Sequence, residues 1–113
     1  MHYGEPDVTV TGKVHLHTFY GPPGYGETPR IDRRETQALL TLSSPLCVEA
    51  GGADDEPEEH GQARITLVPL HGENLKAYQA KSISVSGHLF HAISGHHHTP
   101  VLIEITSVAP YSP

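Results

Sequence analysis

Three adjacent histidines, His96-His97-His98, are the densest concentration of potential chemistry in the chain. They lie within Gly87–Ile105, which reads as two β-strands joined by a loop. Imidazole serves as a metal ligand, as a proton carrier near neutral pH and as a hydrogen-bonding contact surface. Zinc takes three or four nitrogen or sulfur ligands in a tetrahedral array, and successive side chains of an extended backbone point to opposite sides. His96 and His98 would then share an ion with His97 turned away. A third ligand would come from His91, with His88, His15 and His17 as further candidates. The spacing matches no compact zinc motif, so zinc or copper binding is the alternative expectation. The leading one is a cofactor-free loop whose rings contact a partner. pH sensing is a further option.

Reaction chemistry finds little support, and the chain is not expected to be an enzyme. It has no Gly-x-Ser-x-Gly elbow, no phosphate-cradling glycine loop ending in Lys-Ser or Lys-Thr, and no His-Glu-x-x-His helix. Ser94 is close to His96 in sequence, but a nucleophile and base need an orienting third group. Glu104 falls on the polar face of a strand. Cys47 is the chain's one cysteine, flanked by Leu46 and Val48, and reads as a small buried hydrophobe. No intramolecular disulfide can form.

These residues need a scaffold, and the apolar spacing describes one. From Asp7 to Phe19, Val8, Val10, Val14 and Leu16 alternate with polar residues, which predicts a long half-buried strand. A loop follows from Tyr20 to Arg34, built around Gly21-Pro22-Pro23-Gly24-Tyr25-Gly26. Glu35–Leu42 is the second strand, interrupted at Ser43-Ser44-Pro45, and Leu46–Glu49 either finishes it or begins a third. Residues 51–62 form an acidic insertion, expected to be a mobile hairpin tip. Ala63–Leu70 returns as a strand, Gly72–Lys81 has the composition of a short helix, and Ser82–Ile93 and Val101–Val108 complete the set.

Val8-Thr9-Val10-Thr11-Gly12-Lys13-Val14 and Ile83-Ser84-Val85-Ser86-Gly87-His88-Leu89 follow one pattern, which suits two strands that bend alike where a barrel closes. The expectation is a mainly β chain forming one domain over residues 1–113. Its fold would be a small five-stranded OB-like barrel with one short helix between strands 3 and 4. In that topology the loop from Tyr20 to Arg34 and the loop from Ser94 to Pro100 flank one surface. The surface combines Tyr20, Tyr25, Arg30, Arg33 and Arg34 with His96, His97 and His98, a set suited to an anionic or polar partner.

Composition narrows the partners. Thirteen acidic against seven basic side chains give a formal net charge of -6, which repels a phosphate backbone and disfavours nonspecific nucleic-acid binding. An oligonucleotide or oligosaccharide ligand therefore rests on the fold alone. No apolar run approaches the roughly 20 residues that span a bilayer. The start, Met1-His2-Tyr3-Gly4-Glu5-Pro6, lacks the basic and apolar regions of a signal peptide.

The stretch Val85–Ala92 followed by Gly95-His96-His97-His98-Thr99-Pro100-Val101-Leu102 resembles the signature of a bacterial domain-of-unknown-function family found in small exported proteins. The Val-x-Val-x-Gly-x-Val strand at Val8–Val14 and the Phe19-Tyr20-Gly21-Pro22-Pro23-Gly24-Tyr25 loop are also similar to that family. The resemblance implies a periplasmic or secreted setting and no settled activity. Small exported domains of this sort commonly act by occlusion, so the leading expectation is a noncatalytic inhibitor or immunity protein that covers a toxin or hydrolase. An acidic, loop-rich domain offers complementary charge to a basic enzyme. Oligomeric state is left open.

Overall fold

The computed structural model describes residues 1–4, 8–51, 56–69, 72, 74–92 and 97–112. Its elements are β1 (Val8–Tyr20), β2 (Arg34–Val48), β3 (Glu59–Pro69), a single 3-10 turn (Leu75–Tyr78), β4 (Ser82–His91) and β5 (Val101–Pro110). The strands close into a barrel in the order β1-β2-β3-β5-β4, with β4 returning to β1. All neighbours are antiparallel except β3 and β5, which pair from Thr66↔Leu102 to Pro69↔Ile105. This is the expected five-stranded barrel of OB type.

Alternation drives the closure. Val8, Val10, Gly12 and Val14 on β1 and Ile83, Val85, Gly87 and Leu89 on β4 are buried, with more open residues between them. They meet Leu40, Ile65, Ile103 and Ile105 in a continuous core, and Leu75 of the 3-10 turn is buried against it. The two glycines mark close main-chain approaches. A Cβ on Gly12 would lie 2.2 Å from the Thr41 carbonyl oxygen, and one on Gly87 would lie 2.0 Å from that of Glu104.

Of the two readings of Leu46–Glu49, the structure takes the one in which it finishes the second strand: β2 continues through Ser43-Ser44-Pro45, because register shifts between Thr41, Leu46 and Val48 absorb the proline. Two further elements differ from the expectation. Strand β3 starts at Glu59, so the last part of the acidic insertion, Glu59–Gln62, is sheet; residues 52–55 lie outside the described residues. The predicted helix over Gly72–Lys81 shrinks to one turn. Positive φ at Ala80 (62°) turns the chain out of it, and the Ala80 amide donates to Val14 O while the Val14 amide donates to Lys81 O. Main-chain bonding to β1 thus replaces helix propagation and extends the β1–β4 seam beyond Lys13↔Ser82. Among the described residues no helix is long and apolar enough to cross a membrane.

Candidate binding surface at the two loops

The outward-facing side chains on one flank of the barrel are unusually apolar. Register places Leu39 beside Thr66, Thr66 beside Leu102 and Leu102 beside Phe90, all pointing away from the core. Leu39, Thr66 and Leu102 are nevertheless buried. The segment after the histidine loop lies on this row. The Thr99 hydroxyl oxygen accepts from the Thr66 amide at 3.1 Å, stands 2.8 Å from the Thr66 hydroxyl and donates to Val101 O at 2.7 Å.

His97 and His98, just before Thr99, are correspondingly laid down on the sheet. His97 packs edge-on against Phe90, with centroids 5.5 Å apart. His98 stacks on Phe19 at 3.9 Å with the planes 1° apart, and Phe19 in turn leans on His17 at 4.4 Å. The His98 Nε2 atom is also 4.0 Å from a carboxylate oxygen of Glu35, and both side chains are mostly shielded from solvent. Phe19 and Glu35 face each other at the foot of the β1–β2 loop. The two loops therefore meet at one rim through Phe19 and Glu35, neither of which belongs to the contact set expected from the sequence.

The loop itself is organised around Asp32, which is buried. Its carboxylate accepts from the amides of Gly24 (2.7 Å), Gly26 (2.8 Å) and Thr28 (3.1 Å) and from the Thr28 hydroxyl (2.6 Å). Burial pushes this carboxyl upwards, but the Thr28 hydroxyl and the three amides outweigh it and hold the group below the ordinary carboxylate value. The base is closed by Gly21 N–H donating to Arg33 O and Arg33 N–H donating to Pro22 O. Tyr20, Tyr25, Arg30, Arg33 and Arg34 are all exposed on it, with the Arg34 guanidinium 5.8 Å from the centre of the Tyr20 ring. Ile31 is 68% exposed.

The expected metal ligands occupy different places. His91 Nε2 is 2.7 Å from Glu59 at the far end of β2 from Glu35, beside Tyr3. His98 is at the Glu35 end, and His96 lies outside the described residues. Among the described residues no group of three or more His, Cys, Asp or Glu side chains is arranged to hold a metal ion. His15 and His17 are exposed on the polar side of β1.

Cys47 is exposed, not buried, because Leu46 and Val48 on either side take the inward positions. Its thiol is held below the ordinary cysteine value by the Gly61 amide and by a hydrogen bond to His60, with the charge of His60 and of the chain's amino group adding to this. The bond to Cys47 and the charge of Glu58, whose carboxylate is 3.1 Å from His60 Nε2, raise His60. Alkylation of Cys47 by iodoacetamide should reach half its limiting rate at a lower pH than for a free cysteine, and His60→Ala should move that midpoint back up. Coincident profiles for the two proteins would show that the imidazole does not act on the thiol.

A family model described as Domain of unknown function (DUF4431) matches residues 64–109, which take in most of β3, the 3-10 turn, β4, the histidine loop and nearly all of β5. No curated protein and no solved structure matches the chain.

Proposed function

We propose that this chain is a noncatalytic protein-binding domain that meets its partner through the β1–β2 loop, and that it works by occlusion as an inhibitor or immunity protein does. One observation carries the reading. Among the described residues the exposed large hydrophobic side chains are Met1, Tyr20, Tyr25, Ile31 and Tyr111, and three of these five belong to one loop and its base. Tyrosine and arginine dominate the energetics of protein interfaces, and Arg30, Arg33 and Arg34 stand among those three side chains. The Asp32 network fixes the loop in advance, which lowers the entropy lost on docking. The resemblance noted for the Gly-His-His-His-Thr-Pro stretch favours an exported setting and a toxin or hydrolase as the partner.

The test is co-expression with the protein encoded by the neighbouring gene, followed by calorimetry. A complex is expected, weakened about a hundredfold by Tyr25→Ala or Ile31→Ala and unchanged by Tyr111→Ser. A complex indifferent to all three substitutions would move the interface elsewhere. Turnover of a small substrate by the isolated chain would end the noncatalytic reading.

A further inference from the structure

A second feature, distinct from the exposed loop, opens where β2 and β3 part. Their pairing runs outward only as far as Ala38↔Leu67, while β2 continues to Arg34. Beyond that point a groove of about 550 Å³ passes between the two strands. Its lining draws on both faces of the strands. Leu16, Ala38 and Leu67 face inward, whereas Val68 and Leu102 face outward, and all five border the same space. Leu75 of the 3-10 turn lines it as well. A volume of this size falls within the range for small-molecule sites, commonly about 300–1,000 Å³, and such sites combine an apolar body with a few polar groups.

The polar groups here have a definite sign. Lys76 and Asn74 border the groove at the 3-10 turn, and Gln37 and His97 border it on the outer face. Lys76 is the one full charge among the described lining residues, which include no carboxylate, although acidic side chains outnumber basic ones thirteen to seven in the chain. An apolar slot whose described lining carries one cation complements a molecule that is greasy at one end and anionic at the other. A cation or an uncharged hydrocarbon would leave Lys76 unmatched.

We propose that the groove between β2, β3 and the 3-10 turn is a binding site for a small amphipathic anion, its apolar body between Ala38, Leu67 and Leu75 and its carboxylate at Lys76. Asn74, beside Lys76 at the turn, supplies a neutral donor for the same head group. The site does not depend on the loop surface, since none of Tyr20, Tyr25 or Ile31 lines it.

The full chain, titrated with 1-anilinonaphthalene-8-sulfonate as a fluorescent amphipathic anion, tests this. Saturable one-to-one binding is expected, displaced by octanoate at about tenfold lower concentration than by octanol and not displaced by octylammonium. Lys76→Gln should erase the preference for octanoate over octanol, and Val68→Phe, which fills the outer part of the slot, should abolish binding. Methyl NMR of the unsubstituted protein decides independently of how the variants fold. Octanoate should shift the methyl signals of Leu16, Leu67, Leu75 and Leu102 and leave those of Val8 and Val48 in place. Equal displacement by all three alkyl compounds, unsaturable fluorescence, or shifts confined to other methyl groups would overturn the proposal.

Discussion

Gly87→Ala should destabilise the barrel by about 3 kcal/mol, and Gly12→Ala by a similar amount. Neither glycine has a positive φ, so alanine meets no backbone penalty at either position; the obstacle is space. The added carbon would fall 2.0 Å from the Glu104 carbonyl oxygen in one case and 2.2 Å from that of Thr41 in the other. Both obstacles are main chain of a hydrogen-bonded neighbouring strand, which cannot rotate aside as a side chain does. Relief therefore requires β5 to move from β4, or β2 from β1, and either shift disturbs the core that the ladders hold in register. Against a total stability of about 5–15 kcal/mol for a domain, the midpoint of urea unfolding should fall sharply and Tm by roughly 10 °C.

Gly61→Ala supplies the contrast. Gly61 has φ near +60° but nothing within 4 Å of the position a Cβ would take, so only the left-handed conformation is penalised, by about 1–2 kcal/mol. Urea unfolding of the three variants separates steric exclusion from backbone preference. If Gly87→Ala and Gly61→Ala lose the same stability, the close approach at β5 does not constrain the barrel.

Gly12 and Gly87 are legible in the sequence, because the segments around them repeat one pattern of apolar, hydroxyl and glycine positions. The strands are legible for the same reason, since alternation reports a sheet with one buried face. What alternation does not report is a second buried face. Ala38-Leu39-Leu40 and Val101-Leu102-Ile103 are buried without a break, and such runs are the signal that the outer side of β2 and β5 is covered. A covered outer side is what lays His97 and His98 down on the sheet. Phe19 and Phe90 on that side carry the same message, and they are the rings against which His98 and His97 rest.

The β1–β2 loop is legible as a loop through its glycines and prolines. The residue that shapes it is not. Asp32 sits in an ordinary polar stretch, and an isolated aspartate shows nothing in sequence of the three amides folded around it. The burial expected for Cys47 fails for a related reason. Its flanking residues are apolar, but in a strand the neighbours of an outward residue are the inward ones, so Leu46 and Val48 imply its exposure.

Asp32→Ala should release the loop while leaving the barrel folded. The substitution leaves three amides and one hydroxyl without their acceptor in a partly buried turn. Amide hydrogen exchange at Gly24, Gly26 and Thr28 should accelerate roughly a hundredfold, while Val14, Leu40 and Ile103 keep their protection. Asp32→Asn should fall between the two, because one side-chain oxygen still accepts but the amide nitrogen faces other donors. Acid should mimic the substitution. The folded-state pKa of Asp32 lies below the ordinary carboxylate value, so its contribution is complete above that ordinary value and disappears as pH falls through the lower one. The chemical shifts of the Gly24 and Gly26 amides, followed downwards in pH, should titrate together at that lower value. Unchanged exchange in Asp32→Ala would mean that the bonds between Gly21, Pro22 and Arg33 hold the loop alone. If exchange does rise and the loop is the docking surface proposed above, partner affinity should fall with it, because Tyr25 and Ile31 would then have to be ordered at the moment of docking.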